Sequence, residues 1–217
     1  VFKLFASVIG MVLLLISTVA LSKGSIDPEG ELFVQRTRGD TLHCGPLAAI
    51  MARRFADPNF KPKKTYGEIT RARGIVNEFS GLERGEDFGR WWEFEDIETY
   101  LKFTGVKYKT VEMTKGRNTE AQIKQMVDKN QLVLVNVNMN HIPRGKNANK
   151  PYSTFYIPGG WGHYLAVVGY TYQNGKLYFE MHDSFSIKGR NRLYEAKYII
   201  GSMKAFEPRF IHIQRGV

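Results

Sequence analysis

One residue in this chain is unique in kind: Cys44, the only thiol among 217 residues, at the head of "CGPLAAIMARRF". A lone thiol excludes internal disulfides and structural zinc sites built on several thiolates. It leaves two readings, an inert buried cysteine or a nucleophile. Leu47, Ile50, Met51 and Phe55 recur at helical spacing, and Pro46 fits a first helical turn, where its missing N–H costs nothing. Cys44 therefore starts a helix, where partial positive charge and unused N–H groups favour the thiolate. Gly45 leaves space beside the sulfur for a substrate backbone.

A nucleophilic cysteine needs a base, and the base needs an orienting group. Of His43, His141, His163, His182 and His212, His163 stands out, in "GGWGHYLAVVGY" directly before an apolar strand. The glycines around it leave room, so Trp161 and Gly162 join Gly45 as residues expected to line a substrate cleft. Asp183 ends the next strand, in "EMHDSF". Whether His163 and Asp183 meet depends on register. With Asn174-Gly175 alone as the hairpin loop, the two have opposite parity and face opposite sides of the sheet. A three-residue loop from Gln173 to Gly175, or a bulge elsewhere, puts them on one face as diagonal neighbours. Counting alone leaves this open.

The elements that must hold these residues follow from pattern. After the helix at Cys44, Thr65 with Glu68 reads as a capping box for a second helix carrying Tyr66, Ile69, Val76 and Phe79. A third helix is expected over roughly 93–104, a strand over 106–113, and a short helix capped by Thr119 with Gln122. Strands are expected at 131–139, 163–172, 176–182 and 209–214, with Asn174-Gly175 as a hairpin turn. The polar stretch 144–154 is long enough to form a flap. In "GRWWEF" one of Trp91 and Trp92 belongs to the core. Helices first and an antiparallel-looking sheet second make this an α+β chain.

Residues 1–22 stand apart from the domain of 23–217. Lys3 is followed by an uncharged apolar run of residues 4–21, ending in small residues that suit cleavage after Ser22. The run reads as a secretory signal or a retained apolar anchor helix, placing the domain outside the cytosol, periplasmic, secreted or membrane-anchored. The formal charge of +10 stays near +9 without that segment, so the basic character belongs to the domain. The chain holds no nucleic-acid motif. No His-Glu-x-x-His motif occurs, and neither a metal nor a cofactor is expected.

The ordered set "HCGPLAAIMA", "GHYLAVVGY" and "HDSF" resembles the C39-like branch of the papain-like cysteine peptidases. The likeness runs over about residues 35–185 and includes "IKQMVDKNQLVLVNVN", similar to that family's helix followed by an apolar strand. The resemblance implies a papain-like fold, with the nucleophile at a helix start in an N-terminal helical part and an antiparallel sheet after it. It implies Cys44 as nucleophile, His163 as base and then acid, Asp183 as orienter, and a peptide or protein as substrate. The family's oxyanion glutamine, about six residues before the cysteine, is Arg38 here; Gln35 is the nearest upstream candidate. Two other classes share these residues: a non-catalytic module that binds a peptide or cell-wall ligand, and a Cys-dependent acyl transferase.

Overall fold

A computed structural model of the chain describes residues 43–62, 65–81, 90–143, 146–147, 150–151, 162–185 and 189–216. Three helices come first: α1 (Cys44–Ala56), α2 (Thr65–Ser80) and α3 (Phe94–Phe103). They are followed by β1 (Tyr108–Glu112), α4 (Thr119–Asp128), β2 (Leu132–Asn138), and the two-residue strands β3 (Lys146–Asn147) and β4 (Lys150–Pro151). The chain then forms β5 (Gly162–Gln173), β6 (Lys176–His182), β7 (Arg192–Glu195), α5 (Ala196–Phe206) and β8 (Arg209–Ile213). Six strands make one antiparallel sheet in the order β1-β8-β2-β5-β6-β7, and β3 pairs with β4 alone.

The α+β order read from the sequence holds, and most expected elements lie within two residues of their places. Several details differ. The helix α4 is capped by Asn118, whose side chain accepts from the Ala121 N–H at 3.1 Å, and Thr119 is its first helical residue. Asn ranks above Thr as an N-cap, and its side-chain oxygen satisfies one of the N–H groups left over at the helix start. The stretch 144–154 contains the β3–β4 pair. The strand β7 and the helix α5 have no counterpart among the expected elements. The apolar run of residues 4–21 lies outside the described residues, and among those described no helix is long and apolar enough to cross a membrane.

The helix α1 is central. From Cys44 to Ala52 every residue is buried, because the sheet strands β2 and β5 and the helices α2 and α3 all pack on it. A helix apolar all round needs such a setting. Ala48, Ala49 and Ala52, none exposed, let those elements approach closely. Trp92, Tyr100, Tyr164 and Phe94 supply the bulk around it. Within the tryptophan pair, Trp92 is core at 1% exposure, while Trp91 is half-buried and stacks on Tyr164 with ring centroids 5.7 Å apart. The far end is tied down by the C-terminal tail, where the Gly216 N–H donates to the Ala56 carbonyl at 2.9 Å.

Candidate active site

Cys44 is the first residue of α1. The first helical hydrogen bond is from Leu47 N–H to the His43 carbonyl at 3.0 Å, so the N–H groups of Cys44 and Gly45 lie above the ladder, and Pro46 has none to leave over. The preceding residue, His43, is fully buried, and its Nδ1 accepts from Arg73 Nη2 at 3.3 Å. Arg73 also donates from Nη1 to the Arg90 carbonyl at 3.1 Å. A guanidinium on α2 thus fixes the entry of the chain into α1, and with it the position of the sulfur.

His163 is the second residue of β5, and Val137 on β2 stands opposite it. Its Nε2 lies 2.9 Å from Asp183 Oδ1, and its ring also hydrogen-bonds the Cys44 side chain. With Nε2 turned to the carboxylate, Nδ1 is the ring nitrogen left for the sulfur. The three residues expected to act together are therefore in one chain of contacts: sulfur, imidazole, carboxylate.

The register question has a definite answer. Gln173 pairs with Lys176, so the hairpin loop is the two-residue Asn174-Gly175, and both residues have positive φ (49° and 73°), as a type I′ turn requires. That loop alone would send His163 and Asp183 to opposite faces. The pairing shifts between Val167 and Gly169, where Val168 is an extra residue in β5. Beyond this bulge Val167 faces Met181 and Ala166 faces His182, which brings His163 onto the same side as Asp183. The bulge, and not a three-residue loop, makes the pair. Gly169 in the strand interior is the sequence signal that marks such a place.

Electrostatics follow from burial. Cys44 and His163 are each 1% exposed, and Asp183 is fully buried. Burial by itself drives the imidazole toward its neutral form. The Asp183 carboxylate, through its charge and its hydrogen bond, and then Cys44 outweigh this and push His163 up to about 10. The site therefore favours a charged imidazolium beside the Asp183 carboxylate. Asp183 is held in turn: Oδ1 also accepts from the Phe185 N–H at 3.0 Å, Oδ2 accepts from the Tyr194 hydroxyl at 2.7 Å, and its own N–H donates to the Gly189 carbonyl at 2.9 Å. Tyr194 escaped the sequence reading because its strand did.

The two cleft glycines that are described have a packing role. A Cβ on Gly45 would lie 2.6 Å from Trp92 Cβ, so the missing side chain is what lets Trp92 pack closely on α1. A Cβ on Gly162 would lie 2.2 Å from the Phe206 ring and 2.9 Å from Asn136 Oδ1. Gln35, the oxyanion candidate, and Trp161 lie outside the described residues. Among the described residues the backbone N–H of Cys44 at the start of α1 is the donor nearest to the sulfur along the chain. His182, next to Asp183 but on the alternate side of its strand, bonds Asn191 Oδ1 at 2.9 Å and is pulled down to about 4, chiefly by burial.

This geometry can be set beside known proteins. No family model matches the chain, and no curated protein matches it. Among 36 solved chains that match in fold is the crystal structure of a proposed C39-like peptidase from Bacillus anthracis, with TM-score 0.52. The match covers 85% of this chain and 95% of that one. The two share a fold. At 14% identity the likeness speaks for architecture alone: an α+β chain whose six-stranded antiparallel sheet and five described α-helices are consistent with a papain-like fold.

Proposed function

We propose that this protein is a thiol hydrolase that cleaves peptide bonds through an acyl-enzyme on Cys44. The observation that carries the reading is the continuous contact from Cys44 through His163 to Asp183, with the sulfur at a helix N-terminus. In the proposed mechanism His163 starts protonated and Cys44 reacts as its thiolate, the nucleophilic form of cysteine. The thiolate attacks the scissile carbonyl carbon, forming a C–S bond and placing negative charge on the carbonyl oxygen. The Cys44 N–H and the positive end of α1 stabilise that oxygen. The imidazolium gives its proton to the departing amine as the C–N bond breaks, leaving a thioester. Water then attacks the thioester, His163 takes up a proton, and the C–S bond breaks to return the thiolate–imidazolium pair.

Burial serves this chemistry and also constrains it. Excluding water strengthens the attraction between the imidazolium and the Asp183 carboxylate. Sulfur and imidazole are both closed off from solvent, so the reaction requires the sulfur to become accessible to substrate. Residues 4–21 support an extracytoplasmic place of action, so the substrate we propose is a peptide or protein met outside the cytosol.

Incubating the chain with a degenerate peptide pool and mapping the products by mass spectrometry tests the activity. New termini are expected with the native chain and with none of Cys44→Ala, Cys44→Ser or His163→Ala. Equal cleavage by Cys44→Ala would end the hydrolase reading.

A further inference from the structure

Asp183 is anchored by two separate elements, and the second of them points to a residue with a part in the chemistry. On Oδ1 the carboxylate meets His163 Nε2 and the Phe185 N–H, the latter only two residues along its own chain. A carboxylate held at one oxygen can still turn about its Cβ–Cγ bond. Oδ2 receives the Tyr194 hydroxyl at 2.7 Å, from β7 on the neighbouring edge of the sheet. Tyr194 stands opposite Phe179 in the β6–β7 register and is 5% exposed. A buried phenol that met no acceptor would cost the desolvation of its hydroxyl for no more apolar contact than phenylalanine gives. Meeting a buried carboxylate removes that cost and makes a charge-assisted bond of the stronger kind.

We propose that Tyr194 is a positioning residue for the thiol site: its hydroxyl fixes the plane of the Asp183 carboxylate, so that Oδ1 stays in line with His163 Nε2 and the imidazolium stays directed at Cys44. The proposal rests on the thiol-hydrolase reading and deepens it. It makes the edge strand β7, and through it the start of α5 at Ala196, part of the support of the nucleophile. A slip of one residue in the β6–β7 pairing would turn Tyr194 to the other side and release the carboxylate.

The test uses the full chain in native, Tyr194→Phe and His163→Ala forms, with iodoacetamide as the probe of Cys44. Loss of one hydrogen bond to a charged group predicts roughly tenfold slower alkylation at pH 7 for Tyr194→Phe, with the acid limb of the pH profile moved to higher pH. Proton NMR supplies a second readout that needs no access to the sulfur. The native chain is expected to show a far-downfield His163 Nε2–H and a slowly exchanging Tyr194 hydroxyl proton, and Tyr194→Phe to lose the second and move the first upfield. An alkylation profile and Nε2–H resonance unchanged in Tyr194→Phe would overturn the positioning role. So would a native chain whose Tyr194 hydroxyl exchanges freely, even if the variant failed to fold. If His163→Ala alkylates like the native chain, the thiol–imidazole reading fails instead, which separates the two.

Discussion

Replacing Asp183 by Asn and by Ala separates the charge of the carboxylate from its position. His163 is pushed from 6.5 up to about 10, and burial acts against that rise, so the opposing charges supply all of it. The rise corresponds to about 5 kcal/mol at about 1.36 kcal/mol per pH unit, a net figure left after the opposing effect of burial and divided between Asp183 and Cys44. The sign follows from a folded value above the unfolded one. The ion pair's contribution to stability is fully present below about pH 6.5 and is lost as pH rises through about 10. Asn at 183 can still turn an oxygen to His163 and offer its amide to the Tyr194 oxygen, so orientation survives while charge is lost. Ala leaves the His163 Nε2 and the Tyr194 hydroxyl facing a void. Alkylation of Cys44 by iodoacetamide at pH 7, followed by intact mass, should slow about tenfold for Asp183→Asn and by about 10² or more for Asp183→Ala, as general-base contributions of this kind suggest. Neither variant should keep the native loss of stability between pH 6.5 and 10. Alkylation of Asp183→Ala at the native rate, with the native pH profile, would contradict the role given to Asp183.

Further outcomes follow from the same geometry. Deleting Val168 should remove the bulge, turn His163 away from Asp183 and abolish the downfield Nε2–H signal in proton NMR. Gly45→Ala should destabilise by about 1–3 kcal/mol in urea denaturation, since its methyl meets Trp92 at 2.6 Å in a fully packed place and any gain in helix propensity is smaller. Gly162→Ala should also destabilise, because its methyl meets the Phe206 ring at 2.2 Å and the buried Asn136 Oδ1 at 2.9 Å; Phe206, 40% exposed, can swing outward, so Phe206→Ala should relieve only part of the cost in the double variant. His182, held down to about 4 against 6.5, stays neutral while the unfolded chain takes up a proton, so stability falls as pH drops from about 6.5 to about 4. His182→Gln should remove up to about 3 kcal/mol of that fall, read from denaturation midpoints against pH.

The sequence made some of this legible and hid the rest for physical reasons. Pro46 in a first turn and a four-residue apolar stripe placed the head of α1 at Cys44, and that is where it lies. Asn174-Gly175 announced its hairpin because few other residue pairs take two positive φ angles in succession. Parity was computable and Gly169 hinted at an irregularity, but the extra residue at Val168 is held by the packing of a strand buried from Gly162 to Tyr170, which counting does not reveal. The helix α5 escaped because "AKYIIGSMKAF" carries Gly201 and β-branched residues that weaken helical propensity; burial of Ile199, Ile200 and Met203 overrides it. Gly45 and Gly162 read as open space, yet which group fills the space of a glycine is a tertiary fact: Trp92 for one and Phe206 for the other. Tyr194 became visible only through the β6–β7 register.

The central claim is that Cys44 carries the acyl group and His163 makes it able to. The most direct measurement is the intact mass of the chain after mixing with a cleavable peptide and quenching in acid within the first turnover. The account predicts a transient mass gain equal to the acyl portion of the peptide, mapped to Cys44 and missing from His163→Ala. Peptide cleavage with no adduct on Cys44, at a rate unchanged in Cys44→Ala, would contradict it.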